Sequence, residues 1–158
     1  MGIQDSESIN LIKTWIKEID TENYFKFIVD FDTKEGRTRI LIDEFGTWKK
    51  APFLTKQESE DYRSRGFRQF VPDLIDFDKK LIIEYQEESE GRTGILRRHG
   101  KINKKGHDEF SDEDKDLFYD LAKFKVLKLW ENSNDNKRQL EIFLKNVRRE
   151  KQNLNDLA

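Results

Sequence analysis

The sequence predicts a mixed α/β layer of the α+β kind, on three observations. Apolar residues recur at helical spacing near both ends, as Ile9, Ile12, Ile16, Ile19 and as Leu140, Phe143, Leu144, Val147. Between them lie short apolar runs bounded by turn residues, the pattern of strands. From about residue 55 onward the order reads helix, three strands, helix, strand, which is a sheet layered with helices.

Taken in order, "SESINLIKTWIKEI" is a helix, with Leu11 and Trp15 beside the isoleucine stripe and Ser6 or Ser8 as cap. "NYFKFIVDFD" and "RTRILIDEFGTWKK" read as two strands joined by the turn "TKEG". Pro52 and Thr55 then mark a break, and Thr55 with Glu58 forms a capping-box pattern for a short helix to about Arg65, ended by Gly66. "FRQFV" is a strand, and "DLIDF" and "LIIEYQ" are strands joined through "DKK". Residues 87–110 are polar and lack periodicity, as a loop does. "SDEDKDLFYDLAKF" is a helix capped by Ser111 with acids in its first turn, where the helix dipole favours them. "KVLKLWE" is a strand, and "NDNKRQLEIFLKNVRREKQ" a final helix. Two units are expected: residues 1–51, a helix and hairpin, and residues 52–158, the main domain with the C-terminal helix.

Charged residues outnumber hydrophobic ones, 39% against 35%, yet 12% aromatic content argues for a folded core rather than disorder. No run approaches the roughly 18 apolar residues of a membrane span, and no basic region followed by an apolar core opens the chain, so a cytoplasmic protein without a membrane partner is expected. With no cysteine, thiol catalysis and thiolate-bound zinc are excluded. The net charge of -2 hides separated blocks. Acids crowd 84–90 and 108–120, and bases crowd 92–105 and 137–151. Such blocks fit a solvated surface, or an acidic metal site inside a basic groove.

The chemistry concentrates in "VPDLIDFDKKLIIEYQEE", residues 71–88. If Asp76 faces Leu81 across an antiparallel hairpin, Asp73 faces Glu84, and Gln86 shares the Glu84 face. Like charges directly opposite each other destabilise a sheet unless a cation lies between them, and hard divalent metals take oxygen ligands of this kind. The same acids could instead line a polar face or pair with Lys79, Lys80 or nearby arginines, and a shifted register would make Asp76 the metal acid.

Pro72-Asp73 followed by Glu84-Tyr85-Gln86 resembles the PD-(D/E)XK nuclease signature, with glutamine where that superfamily usually has lysine. "TKQESEDYRSRGFRQF" is similar to the helix-to-strand entry of the very-short-patch-repair-like branch, in which a helix glutamate joins the site, and Glu58 matches it. "HDEFSDEDKDLFYDLAKFKVLKLWEN" is similar to that branch's closing segment: His107, Asp114 and Leu121 match its spaced histidine, aspartate and leucine. The likeness covers about 55–133. It implies a PD-(D/E)XK core, a mixed central sheet flanked by helices, with the N-terminal α+β unit, residues 1–51, as an extension for DNA recognition or dimerisation. It also implies a site-specific DNA endonuclease of the phage or intron homing type.

On that resemblance Asp73 and Glu84 hold Mg²⁺, with Mn²⁺ as a substitute, and Gln86, Glu58, His107 and Asp114 complete the catalytic set. An amide is no general base, so Gln86 leaves the base open, with His107 as the candidate. Arg92, Arg97, Arg98, Lys101, Lys104 and Lys105 would grip the phosphates of double-stranded DNA. Cutting both strands from one-site subunits implies a homodimer or higher homo-oligomer. The alternatives are a mismatch-repair nickase or restriction endonuclease on the same core, and a DNA-binding module that keeps the fold without catalysis.

Overall fold

A computed structural model describes residues 3–20, 27–29, 38–51, 53–86 and 112–157. Within them the chain is mixed α+β, with four helices and two small, mostly antiparallel sheets. The helices are α1 (Ile3–Ile19), α2 (Lys56–Ser64), α3 (Asp112–Leu121) and α4 (Asn136–Leu157). The strands are β1 (Ile28–Val29), β2 (Arg39–Ile42), β3 (Trp48–Ala51), β4 (Arg68–Phe70), β5 (Leu74–Asp76), β6 (Leu81–Gln86) and β7 (Lys125–Trp130). No helix among the described residues is long and apolar enough to cross a membrane.

The main sheet runs β1-β5-β6-β7. Its first three strands are antiparallel, and β7 lies parallel to β6. Parallel neighbours need a crossover, and α3 stands in the chain between them. The β5–β6 register is the one expected from the alternation: Asp76 pairs with Leu81 and Leu74 with Ile83. The small sheet runs β3-β2-β4, all antiparallel.

Alternation along β5 and β6 sends side chains into two cores. Leu74, Leu81 and Ile83 meet Ile9, Ile12 and Ile16 of α1 and Leu140 and Leu144 of α4. Ile75 and Ile82 meet Ile40 and Ile42 of β2, Phe70 of β4 and Tyr119 of α3. The sheet is thus covered by α1 and α4 on one side and by α3 with the small sheet on the other. A strand buried on both faces loses the polar half of its pattern, which is why "LII" reads as an unbroken apolar run. Both cores draw on residues from either side of the 51/52 boundary.

Two local expectations change. The segment read as one strand over 37–50 is a hairpin, β2 and β3, and β1 and β2 lie in different sheets. Asp43 builds the turn: its Oδ1 accepts the N–H groups of Phe45 at 3.0 Å and Thr47 at 2.8 Å. Phe45 disguises this turn as strand, although it is 81% exposed. In addition, α1 already includes Ser6 and Ser8, so neither caps it. Ser111 lies outside the described residues. The Thr55–Glu58 capping box forms with both arms at 3.1 Å.

Trp48 ties the small sheet to the rest, stacking on Phe77 at 5.7 Å and meeting Phe124 edge-on at 5.1 Å. At the other end of β7, the Asn136 amide donates to the Trp130 carbonyl at 2.8 Å and accepts its N–H at 3.3 Å, fixing the start of α4.

Gly46 and Gly66 both have positive φ, of 83° and 90°. A Cβ on Gly46 would lie 2.3 Å from the Leu121 carbonyl oxygen, whereas one on Gly66 meets nothing within 4 Å. Gly66→Ala should therefore cost only its backbone strain, about 1 kcal/mol, and Gly46→Ala at least about 2 kcal/mol, since the turn must also leave α3. Urea unfolding of the two variants checks the ranking; equal losses would mean that the turn does not abut α3.

A candidate acidic site under α3

The site grows out of one strand parity. Glu84 shares its side of β6 with Ile82, so it points toward α3. It is only 6% exposed. Asp73 lies one residue before β5, at the end of the short link from β4, and is half-buried. Its Oδ2 accepts the Tyr85 N–H at 2.7 Å, so the carboxylate takes a donor of β6 just beyond the last ladder pair. This bond fixes Asp73 against the strand that carries Glu84.

Asp76 goes the other way. It is fully buried, accepts the Lys79 N–H through Oδ1 at 3.0 Å and pairs with the Lys79 ammonium at 3.6 Å. Lys79 also approaches Asp20 at the end of α1, at 3.9 Å. Asp76 therefore fastens the β5–β6 turn to α1. Asp73, and not Asp76, is among the charges that act on Glu84.

Glu84 carries an unusual burden. Desolvation pushes its carboxyl up from the ordinary 4.5 to about 8, and the neighbouring Asp73 charge adds to the rise. Lys115, the Tyr119 hydroxyl and Lys128 pull the other way. Tyr119 donates to Glu84 Oε1 at 3.4 Å from the buried face of α3. Lys128 is the register partner of Glu84 on β7, and its ammonium is held by Asp116 of α3 at 2.6 Å. Lys115, Tyr119 and Lys128 are the residues that sequence reasoning missed. The helix repeat of 115 and 119 was available as a signal, but only the crossover shows that this face lies over β6.

Gln86 shares the Glu84 side of β6 and is half-buried at the strand's end. Glu58 is exposed, with its carboxylate on the Thr55 N–H, and Asp114 is exposed on α3. Among the described residues no third acid or imidazole joins Asp73 and Glu84 in a cluster. His107, Arg92, Arg97, Arg98, Lys101, Lys104 and Lys105 lie outside the described residues.

The donor set suits a hard divalent cation. Two carboxylates share one side of a hairpin, Glu84 is desolvated, and the Asp73 charge raises the cost of ionising it, a cost that a cation between them would remove. Asp73 and Glu84 would hold Mg²⁺, with Gln86 beside them. No family model matches this chain, and neither a curated protein nor a solved structure is significantly similar to it.

A raised carboxyl pKa sets the sign of a pH dependence. Folded Glu84 keeps its proton to a higher pH than the unfolded chain does, so its contribution is complete below pH 4.5 and is lost as pH rises through about 8. Without divalent metal, stability should fall across that interval by on the order of 1 kcal/mol per pH unit at most. Glu84→Gln should flatten the fall and exceed wild type in stability at pH 8. Urea melts at pH 5 and pH 8 in chelator measure it; a wild-type slope retained in Glu84→Gln would place the titrating group elsewhere.

Proposed function

We propose that this chain is a site-specific, metal-dependent endonuclease of the homing type that hydrolyses phosphodiester bonds in double-stranded DNA, built on a PD-(D/E)XK core. The observation that carries the proposal is the pairing of Asp73 and Glu84 on one side of a buried hairpin, with Gln86 two residues on. A buried glutamate whose neighbouring acid raises its ionisation cost is poorly explained by stability alone. The motif likeness over 55–133 and the mixed sheet flanked by helices, the architecture that likeness implies, support the same function.

In the reaction a water oxygen attacks phosphorus and the P–O3′ bond breaks. The products are a 5′-phosphate and a 3′-hydroxyl; the water gives up one proton and the leaving oxygen gains one. Bound Mg²⁺ supplies Lewis acidity at the phosphoryl oxygens. Asp73, fixed by the Tyr85 N–H, and Glu84, fixed by strand and Tyr119, set where that charge sits relative to the phosphate. Gln86 offers an amide that orients water without taking its proton. The basic run from Arg92 to Lys105 supplies the cations that a DNA backbone needs, with His107 as proton acceptor and a homo-oligomer for double-strand cutting. The nickase and restriction functions share this chemistry and differ only in the DNA that is cut.

A second reading, a DNA-binding module without catalysis, is favoured by one observation: the neutral Gln86 where the superfamily has lysine.

Plasmid nicking with and without Mg²⁺ tests the proposal. Asp73→Ala and Glu84→Ala should each lower cleavage by at least about 10²-fold while DNA binding persists. Asp76→Ala should instead lower stability by about 1–3 kcal/mol, since the turn loses the acceptor of the Lys79 N–H and Lys79 keeps only its longer contact to Asp20. Near wild-type nicking by Asp73→Ala at saturating Mg²⁺ would remove the site. Metal-independent DNA binding with no nicking by the wild type would favour the second reading. Gln86→Lys should keep cleavage and Gln86→Leu lose most of it; full activity in Gln86→Leu would make position 86 a solvated strand residue.

A further inference from the structure

We propose that Lys115 is the fixed positive charge of this site, placed to contact a non-bridging oxygen of the phosphodiester being cut; this rests on the nuclease function proposed above. Three observations place it. Tyr119 reaches Glu84 from α3, and Lys115 lies one helical turn earlier on the same face, half-buried. Of the cations acting on Glu84, Lys115 acts most strongly, ahead of Lys128. The two ammonium groups also differ in commitment. Lys128 is neutralised by Asp116 at 2.6 Å, whereas among the described residues Lys115 makes no ion pair.

A half-buried ammonium that acts on a buried carboxylate, yet makes no ion pair with it, is poorly used as a structural ion pair. With no acid paired to it among the described residues, it suits an anion that arrives with a cation of its own. A phosphodiester and its metal ion are such a pair: the carboxylates take the cation, and the ammonium takes the phosphate oxygen. The position is also rigid, because α3 is anchored by Tyr119, Ala122 and the Phe70 ring at 5.4 Å from Tyr119. A lysine fixed this way supplies its charge as the phosphoryl group gains negative charge, and its contribution belongs to the transition state more than to DNA binding.

The test uses the full chain with plasmid DNA. Lys115→Met and Lys115→Gln should lower single-turnover cleavage on the order of 10²-fold, with DNA affinity changed by no more than about threefold. Lys115→Arg, which keeps the charge, should stay within about tenfold of wild type. Calorimetric titration with Mn²⁺ should give affinity in Lys115→Met equal to or tighter than wild type, since a like charge has been removed beside the acids. Circular dichroism melts confirm that each variant folds, and loss of fold in both neutral variants would assign Lys115 to stability and overturn the proposal. Cleavage within threefold of wild type in either neutral variant would also overturn it while leaving the nuclease function standing. Loss of Mn²⁺ binding in Lys115→Met would show a residue that shapes the acid pair rather than one that meets substrate, and would equally overturn it. A wild type that binds no Mn²⁺ and nicks no DNA would remove both proposals together.

Discussion

Strand β6 is buried on both faces, and the rest of the molecule is arranged to satisfy it. Leu81 and Ile83 need cover on one side, and Ile82 and Glu84 on the other. Helices α1 and α4 supply the first layer, α3 and the small sheet the second. A carboxylate in that second layer cannot reach bulk water. It must lose its charge, gain cations or be given hydrogen-bond donors. Lys115, Lys128 and Tyr119 on the two elements that close over it are a partial answer, and the residual strain is visible in a carboxyl pushed up to about 8.

The two hairpin aspartates show how side-chain parity divides labour. Asp76 falls on the α1 side, where it fastens the turn through Lys79 and, by way of Lys79, meets Asp20. Asp73 falls on the α3 side, where its charge raises the cost of ionising Glu84. They stand three positions apart, an odd offset, so one side of the sheet receives a structural ion cluster and the other a candidate site. The short link from β4 gives Asp73 its place: the small sheet ends in Phe70, packed on Tyr119, and the chain turns directly from there into β5. The small sheet thereby positions a residue of the site without contributing one of its own.

The acid pair departs from a bare metal clamp because of α3. Lys128 is already neutralised by Asp116, whereas Lys115 makes no ion pair among the described residues, so the same carboxylate meets two cations of unequal commitment. On the proposed function, this unequal pairing would offer carboxylate oxygens to a cation and an ammonium to an anion. Gln86 adds a neutral amide at the strand's end.

Much of this was legible in residue order alone. The β5–β6 hairpin, its register and the shared side of Asp73 and Glu84 follow from period-two alternation around a short turn, because a one-residue slip would reverse the side of every residue on the strand. The capping box at Thr55 and Glu58 is equally local, closed within four residues. The β2–β3 turn was hidden because Phe45, an apolar residue, stands exposed where a polar one would have marked the bend. Tertiary structure alone decided which distant elements share a layer: that α1 joins α4 over one face of β5 and β6, and that Lys115 and Tyr119 come down on Glu84. Those contacts join residues from about thirty to more than a hundred positions apart in the chain, and no local period encodes the side from which a crossover helix approaches.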